Sequence, residues 1–397
     1  MAEAGSKYET KRENGLSHFL EHMCFKGTAN RPAASQISTE LDGLGVENNA
    51  FTGQEFTGYY AKAEAKHFPK LLDILSDLYL NPLFDEEEIR KEKGVIQDEI
   101  NMYEDLPMRR AGEYFMELLY GDQPAGWSIA GPKELVSTFT RDMFLDYRKR
   151  NYVAKATKVI VAGNVSATKT LAMLEKAFAH TPQAKKDKKL KVIESQSKPK
   201  VFLKEKESDQ THLVMGFRTV PLTHKDYAPL QVLAGVLGSG MSSRLFRKVR
   251  DELGVGYYVR AEQDAYTDHG YLVASAGVAH HRIDEVIDAI LEEFRKLRDE
   301  QVSKEELIKT KEHLTGRLYL GLEGTDALAE LYGFQEVLLK KLRTPDDMAA
   351  RIRKVTAKDI QAVAKKYFVD KGLNLVLIGP YKDQARFVSK LKMPKAK

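Results

Sequence analysis

The chain has 397 residues, 43% of them apolar and 30% charged. That length suits two domains of about 200 residues, and the composition excludes a disordered polymer. No run approaches 18 uncharged apolar residues, so no membrane-spanning helix is expected. A single cysteine, Cys24, excludes an internal disulfide framework and a cysteine-ligated zinc ribbon. With 62 basic against 57 acidic residues, the net charge of +5 is a mild bias, and no nucleic-acid partner is expected from it.

Met1 to Gly5 carry neither a basic nor an apolar signal region, which leaves a cytoplasmic location as the expectation. Leu16 to Cys24 suit a helix, with Asn14 as its N-cap and Lys26-Gly27-Thr28 as its stop. A second helix fits Gln36 to Leu44, closed by Gly45. Phe51 to Lys62, rich in Phe, Thr and Tyr, suits one strand. His67 to Tyr79 has the apolar spacing of an amphipathic helix, and Asp85 caps a long helix from Glu86 to about Met102. Val159 to Asn164 suit a short buried strand. Residues 185–200 are charged and poor in apolar groups, so they divide a first domain, 1–184, from a second, 201–397.

The second half echoes the first. Asp42-Gly43-Leu44-Gly45-Val46 matches Asp251-Glu252-Leu253-Gly254-Val255, and Phe84 to Lys93 resembles Val302 to Lys311. Tyr152-Val153 precede Gly163 at the distances at which Phe368-Val369 precede Gly379. The offsets are 209, 218 and 216 residues, close enough to infer two copies of one α+β domain, each a mixed, mostly antiparallel sheet with packed helices.

His18-Phe19-Leu20-Glu21-His22 is H-x-x-E-H. On a helix, two histidines four apart share a face and can reach one ion, while Glu21 flanks that face. Imidazoles with a nearby carboxylate suit zinc, and this order is the inverse of H-E-x-x-H. A catalytic zinc needs a third protein ligand and one open position. The helix after Asp85 offers Glu92 and Glu99, seven apart on one face. Spacing alone leaves both open.

Asn14 to His18 together with Phe25-Lys26-Gly27-Thr28 resemble the pitrilysin/insulinase family of zinc peptidases, closest to the mitochondrial processing peptidase branch and its short bacterial members. The resemblance implies His18, His22 and Glu99 as ligands of one Zn2+ per chain, Glu99 lying 77 positions after His22. It implies Glu21 as the base, with Glu92 assisting catalysis behind the ligands. It implies Asn49, Ala50 and Phe51 as an edge strand that holds peptide main chain, and Arg250 and Tyr257, beside Gly240 to Phe246, as a substrate-gripping pair. It also implies about two strands ahead of the residues matching Gly5 to Glu9, so the first sheet is expected to lack them.

The implied activity is zinc-dependent endopeptidase cleavage of unstructured peptides in a chamber formed by a homodimer. The alternatives are a non-catalytic scaffold of the same fold and one half of a heterodimeric peptidase. A metal-dependent binding module would keep the ligands but have no use for Glu21. No second H-x-x-E-H follows residue 22, and Arg317 stands at the repeat position of Glu99. The second copy is therefore expected to bind no zinc.

Overall fold

The computed structural model describes residues 1–395. In chain order the elements are α1 (Leu16–Met23), α2 (Ala34–Gly43), β1 (Glu47–Thr52), β2 (Thr57–Lys62), α3 (Phe68–Leu80), α4 (Glu86–Glu104), α5 (Pro107–Tyr120), α6 (Lys133–Val136), α7 (Arg141–Asn151) and α8 (Ala167–Ala177). They continue with β3 (Lys200–Glu205), β4 (Thr211–Arg218), α9 (Tyr227–Gly238), β5 (Gly256–Ala265), β6 (Gly270–Val278), α10 (Ile283–Asp299), α11 (Lys304–Leu320), α12 (Thr325–Phe334), α13 (Pro345–Lys354), α14 (Ala357–Tyr367), β7 (Asn374–Gly379) and α15 (Gln384–Lys390). Two compact units result. The first comprises Met1–Met102, Asp122–Lys191 and Leu322–Leu342; the second comprises Tyr103–Gly121, Val192–Gly321 and Arg343–Lys397.

The first unit is built around α1. Leu16, Phe19, Leu20 and Met23 recur at helical spacing and are fully buried. Phe19 packs edge-on against Phe144 of α7 with ring centroids 4.9 Å apart, and Phe144 stacks on Phe84. Truncating a buried ring of this kind to alanine typically costs about 3–5 kcal/mol. With that face committed to the core, His18, Glu21 and His22 are left on the other. Asp85 Oδ1 accepts from the backbone N–H groups of Glu87 and Glu88, which starts α4 where the sequence suggests.

Residues Phe51 to Lys62 do not form one strand. β1 and β2 are the arms of an antiparallel hairpin, paired from Glu47↔Lys62 to Thr52↔Thr57. Gly53 to Phe56 make the turn, closed by Gly53 N–H donating to Phe56 O. The aromatic richness that suggests one strand comes from two arms facing each other.

The second unit holds a five-stranded sheet, ordered β3-β7-β4-β6-β5, with β3–β7 parallel and every other pairing antiparallel. Its core draws on α9, α10 and α14, with Phe217, Phe294 and Phe368 in mutual ring contact. One feature of the matched segments recurs in the backbone. Gly45 and Gly254 both take left-handed φ, +63° and +66°, and release the chain into β1 and β5.

One expected strand is not formed. Val159 to Asn164 correspond to β7, which is paired on both sides, yet they form no strand, and Val159 is 40% exposed. Ala2 exchanges hydrogen bonds with Thr57 of β2, at 2.7 and 3.0 Å, and Lys158 N–H donates to Met1 O at 2.8 Å. Further along lies a cavity of about 390 Å³ between Tyr59–Lys62 and Lys158–Val165, walled by Leu71, Leu72 and Leu75. An extended segment without a neighbouring ladder does not become a strand.

Candidate metal centre

α1 and α4 bring three ligand-type side chains together. His18 Nε2 lies 3.6 Å and His22 Nε2 3.5 Å from Glu99 Oε2, and the three ligand atoms fall within 4.8 Å of one another. The two rings stand edge to face, with centroids 4.8 Å apart. Donor atoms about 2.1 Å from a tetrahedral zinc are separated by about 3.4 Å. Two imidazole nitrogens and a carboxylate oxygen at the observed spacings fit such an ion.

Glu92, two turns before Glu99, does not join that cluster. It is buried, and its Oε1 lies 2.8 Å from His22 Nδ1 while its Oε2 lies 2.6 Å from Lys26 Nζ. Burial pushes its carboxyl up, but the His22 ring and the Lys26 ammonium outweigh it and hold the group below the usual carboxylate range. An ionised Glu92 accepts the Nδ1–H of His22, which leaves Nε2 as the lone-pair nitrogen facing Glu99 and His18. Burial lowers the pKa of His22, and the hydrogen bond and charge of Glu92 reverse this, so the net direction is upward.

Glu21 stands one residue before His22, with Thr52 Oγ1 of β1 donating to its Oε2 at 2.6 Å. Burial raises its carboxyl above the ordinary range, opposed by Thr52 and His22 and reinforced by the charge of Glu99. A carboxyl held in one orientation, with its pKa raised by burial, is the kind of group that exchanges protons in catalysis.

Asn49, Ala50 and Phe51 lie on β1, paired with Tyr60, Tyr59 and Gly58. β1 pairs with β2 alone among the described residues, so its second edge is open to another extended backbone. Phe51 is held by ring contacts to Phe56 and Phe334. Arg250 and Tyr257 belong to the second unit. The Arg250 guanidinium donates to Gly256 O, and Tyr257 is 62% exposed. Gly256 pairs with Val278 and Tyr258 with Gly277, so Tyr257 is the additional residue of a β-bulge. Such bulges re-aim a side chain away from the regular alternation.

The sequence gives no sign that Thr52 and Lys26 reach the centre, because both depend on contacts between segments far apart in the chain. Asn14 is not the cap of α1. Gly15 takes that position with φ +101°, and Asn14 donates instead to Glu9 and to Ser128 O.

The fold and centre together define an α+β chain with a His–His–Glu cluster on α1 and α4 that could hold a metal ion, and a carboxylate beside it. Residues 1–133 match the family model described as Insulinase (Peptidase family M16), and residues 138–314 match that of the Peptidase M16 inactive domain. The chain belongs to peptidase family M16, the insulinase family. It is 34% identical over 376 residues to a Bacillus subtilis protein named "Uncharacterized zinc protease YmxG", with 95% of this chain and 91% of that protein covered. An "Uncharacterized zinc protease" of Rickettsia felis is 36% identical, with 93% and 88% covered. A protease structure from Helicobacter pylori superposes with a TM-score of 0.87 at 22% identity, over 95% of this chain and 92% of the other. An M16 inactive-domain structure from Pseudomonas fluorescens has the same score at 18% identity, over 96% and 92%.

Proposed function

We propose that this protein is a zinc-dependent endopeptidase acting on unstructured peptides. The observation that carries the reading is the convergence of His18 Nε2, His22 Nε2 and Glu99 Oε2 beside the hydrogen-bonded carboxyl of Glu21. When bound, zinc polarises a peptide carbonyl and makes water acidic near neutral pH. His18, His22 and Glu99 hold the ion. Glu92 keeps His22 in the Nδ1–H form. Glu21 accepts a proton from water and returns it to the leaving amine, with Thr52 fixing the orientation of its second oxygen. The open edge of β1 at Asn49 to Phe51 takes peptide main chain as an added strand, which makes little demand on side-chain identity.

Arg250 and Tyr257 supply donors to the substrate carbonyl. The working form is a homodimer in which this pair serves the zinc of the partner chain. The match of residues 138–314 to an inactive-domain model fits a second unit that binds substrate without a metal of its own. A wholly non-catalytic scaffold has no need of Glu21, and the presence of Glu21 beside an intact ligand set favours catalysis.

Cleavage of an unstructured peptide mixture by the purified protein, followed by mass spectrometry, tests this reading. Wild type is expected to cleave and to lose activity on zinc chelation. Glu21→Gln is expected to retain zinc and lose at least about 100-fold in turnover. Turnover near wild type in Glu21→Gln removes Glu21 from the mechanism.

A further inference from the structure

The helix that carries three of the four central residues of this centre cannot cap itself. α1 has eight residues, about two turns, and a helix that short is marginal without outside support. The N–H groups of its first turn have no partners within the helix. Ordinarily a Ser, Thr, Asp or Asn at the N-cap accepts one of them. Here the position is Gly15, in a left-handed conformation, and a Cβ on it would lie 2.6 Å from Ala130 O. A capping side chain is therefore sterically excluded at the normal place.

A residue six positions earlier takes over the task. Glu9 is 2% exposed and aims its carboxylate at the start of α1. Its Oε1 accepts from the backbone N–H of Ser17 at 2.6 Å, and its Oε2 accepts from the N–H of Gly15 at 2.9 Å and from Asn14 Nδ2 at 3.2 Å. Among the described residues no cation pairs with it. Its charge is met by these donors and by the positive end of the helix.

The first turn is also held on a second side. Tyr147 Oη donates to Gly5 O at 3.2 Å, so the 2.6 Å contact between Ser17 Oγ and Tyr147 Oη uses the serine hydrogen. Ser17 is thereby gripped at its backbone by Glu9 and at its side chain by α7, one residue before His18.

We propose that Glu9 is a positioning residue for the metal centre, acting through the first turn of α1 to set the direction in which His18, Glu21 and His22 face Glu99. This inference rests on the zinc peptidase reading. A buried carboxylate beneath a helix start is an expensive way to obtain mere stability, since a neutral acceptor avoids the burial of charge. What a two-oxygen acceptor adds is a fixed geometry at two amides simultaneously.

The test uses Glu9→Ala and Glu9→Gln, with Ile74→Ala, a buried position of α3, as a core variant outside α1. Zinc dissociation constants come from chelator competition at pH 8, well below each melting temperature, and kcat and KM from peptide cleavage. Hydrogen exchange at the Ser17 and His18 amides reads the clamp itself. Glu9→Ala is expected to weaken zinc binding about tenfold and lower kcat about tenfold with KM within twofold. Glu9→Gln, which keeps one acceptor oxygen, is expected to show about threefold effects, and it carries the test if the alanine variant does not fold. Both are expected to speed exchange at Ser17. Ile74→Ala is expected to lower the melting temperature and leave zinc affinity and kcat unchanged. Wild-type zinc affinity and kcat in both Glu9 variants, or equal losses in Ile74→Ala, overturn the proposal and reduce Glu9 to a stability residue. If wild type itself neither binds zinc nor cleaves peptide, the peptidase reading fails. The exchange measurement then decides the clamp separately, and unchanged exchange at Ser17 overturns it.

Discussion

Glu9, Glu21 and Glu92 are three carboxyls of one unit whose surroundings separate their properties. Glu92 sits between an imidazole and an ammonium and is held low, whereas Glu21 and Glu9 are lifted by burial. For Glu9 the lift reaches about 7, against 4.5 for an ordinary glutamate. Between those values the folded chain keeps a proton that the unfolded chain has lost. The group therefore favours folding below pH 4.5, and that contribution disappears as pH rises through 7. In metal-free protein, the stability of wild type relative to Glu9→Gln is thus expected to fall between pH 4.5 and 7 and to level off above 8. Urea unfolding of both proteins across this range checks it, and a difference independent of pH rules out the shifted titration. None of these three environments is legible in the sequence. H-x-x-E-H is local and shows itself by spacing, but what surrounds Glu21 and Glu92 is settled by segments 31 to 70 positions away, such as Thr52 on Glu21 and His22 on Glu92.

At the scale of elements, α1, α3 and the start of α4 are legible because each has an apolar stripe or a cap within its own sequence. The hairpin β1–β2 is not, since β-rich arms and a short turn give one continuous aromatic run. Val159 to Asn164 are a more instructive failure. Their composition matches that of β7, yet a strand is made by its neighbours, and among the described residues they pair with no strand. Backbone amides at residues 159–163 are consequently expected to exchange with solvent far faster than those of Leu375 to Ile378, which lie between two paired strands. Hydrogen exchange with peptide-level mass spectrometry measures the two segments in one experiment. Equal protection contradicts the open ladder.

At the scale of the whole molecule, the two units divide the chemistry. The His18–His22–Glu99 cluster lies in the first, and Arg250 and Tyr257 lie in the second, Tyr257 displaced by its bulge. If the pair serves a partner chain, Glu21→Gln and Arg250→Ala/Tyr257→Phe are each expected to be inactive alone. Mixing them is expected to restore as much as about a quarter of wild-type activity, because half of randomly exchanged dimers carry one intact composite site. A mixture that stays inactive while mass spectrometry shows subunit exchange excludes the shared site.

The central claim is that His18, His22 and Glu99, rather than Glu92, hold one zinc. Elemental analysis of purified wild type, Glu99→Gln and Glu92→Gln tests it most directly. The expected result is about one zinc per chain in wild type and little in Glu99→Gln. Glu92→Gln is expected to keep zinc at an affinity lowered about 10–100-fold by the loss of its hold on His22. Full occupancy in Glu99→Gln with loss in Glu92→Gln contradicts the assignment.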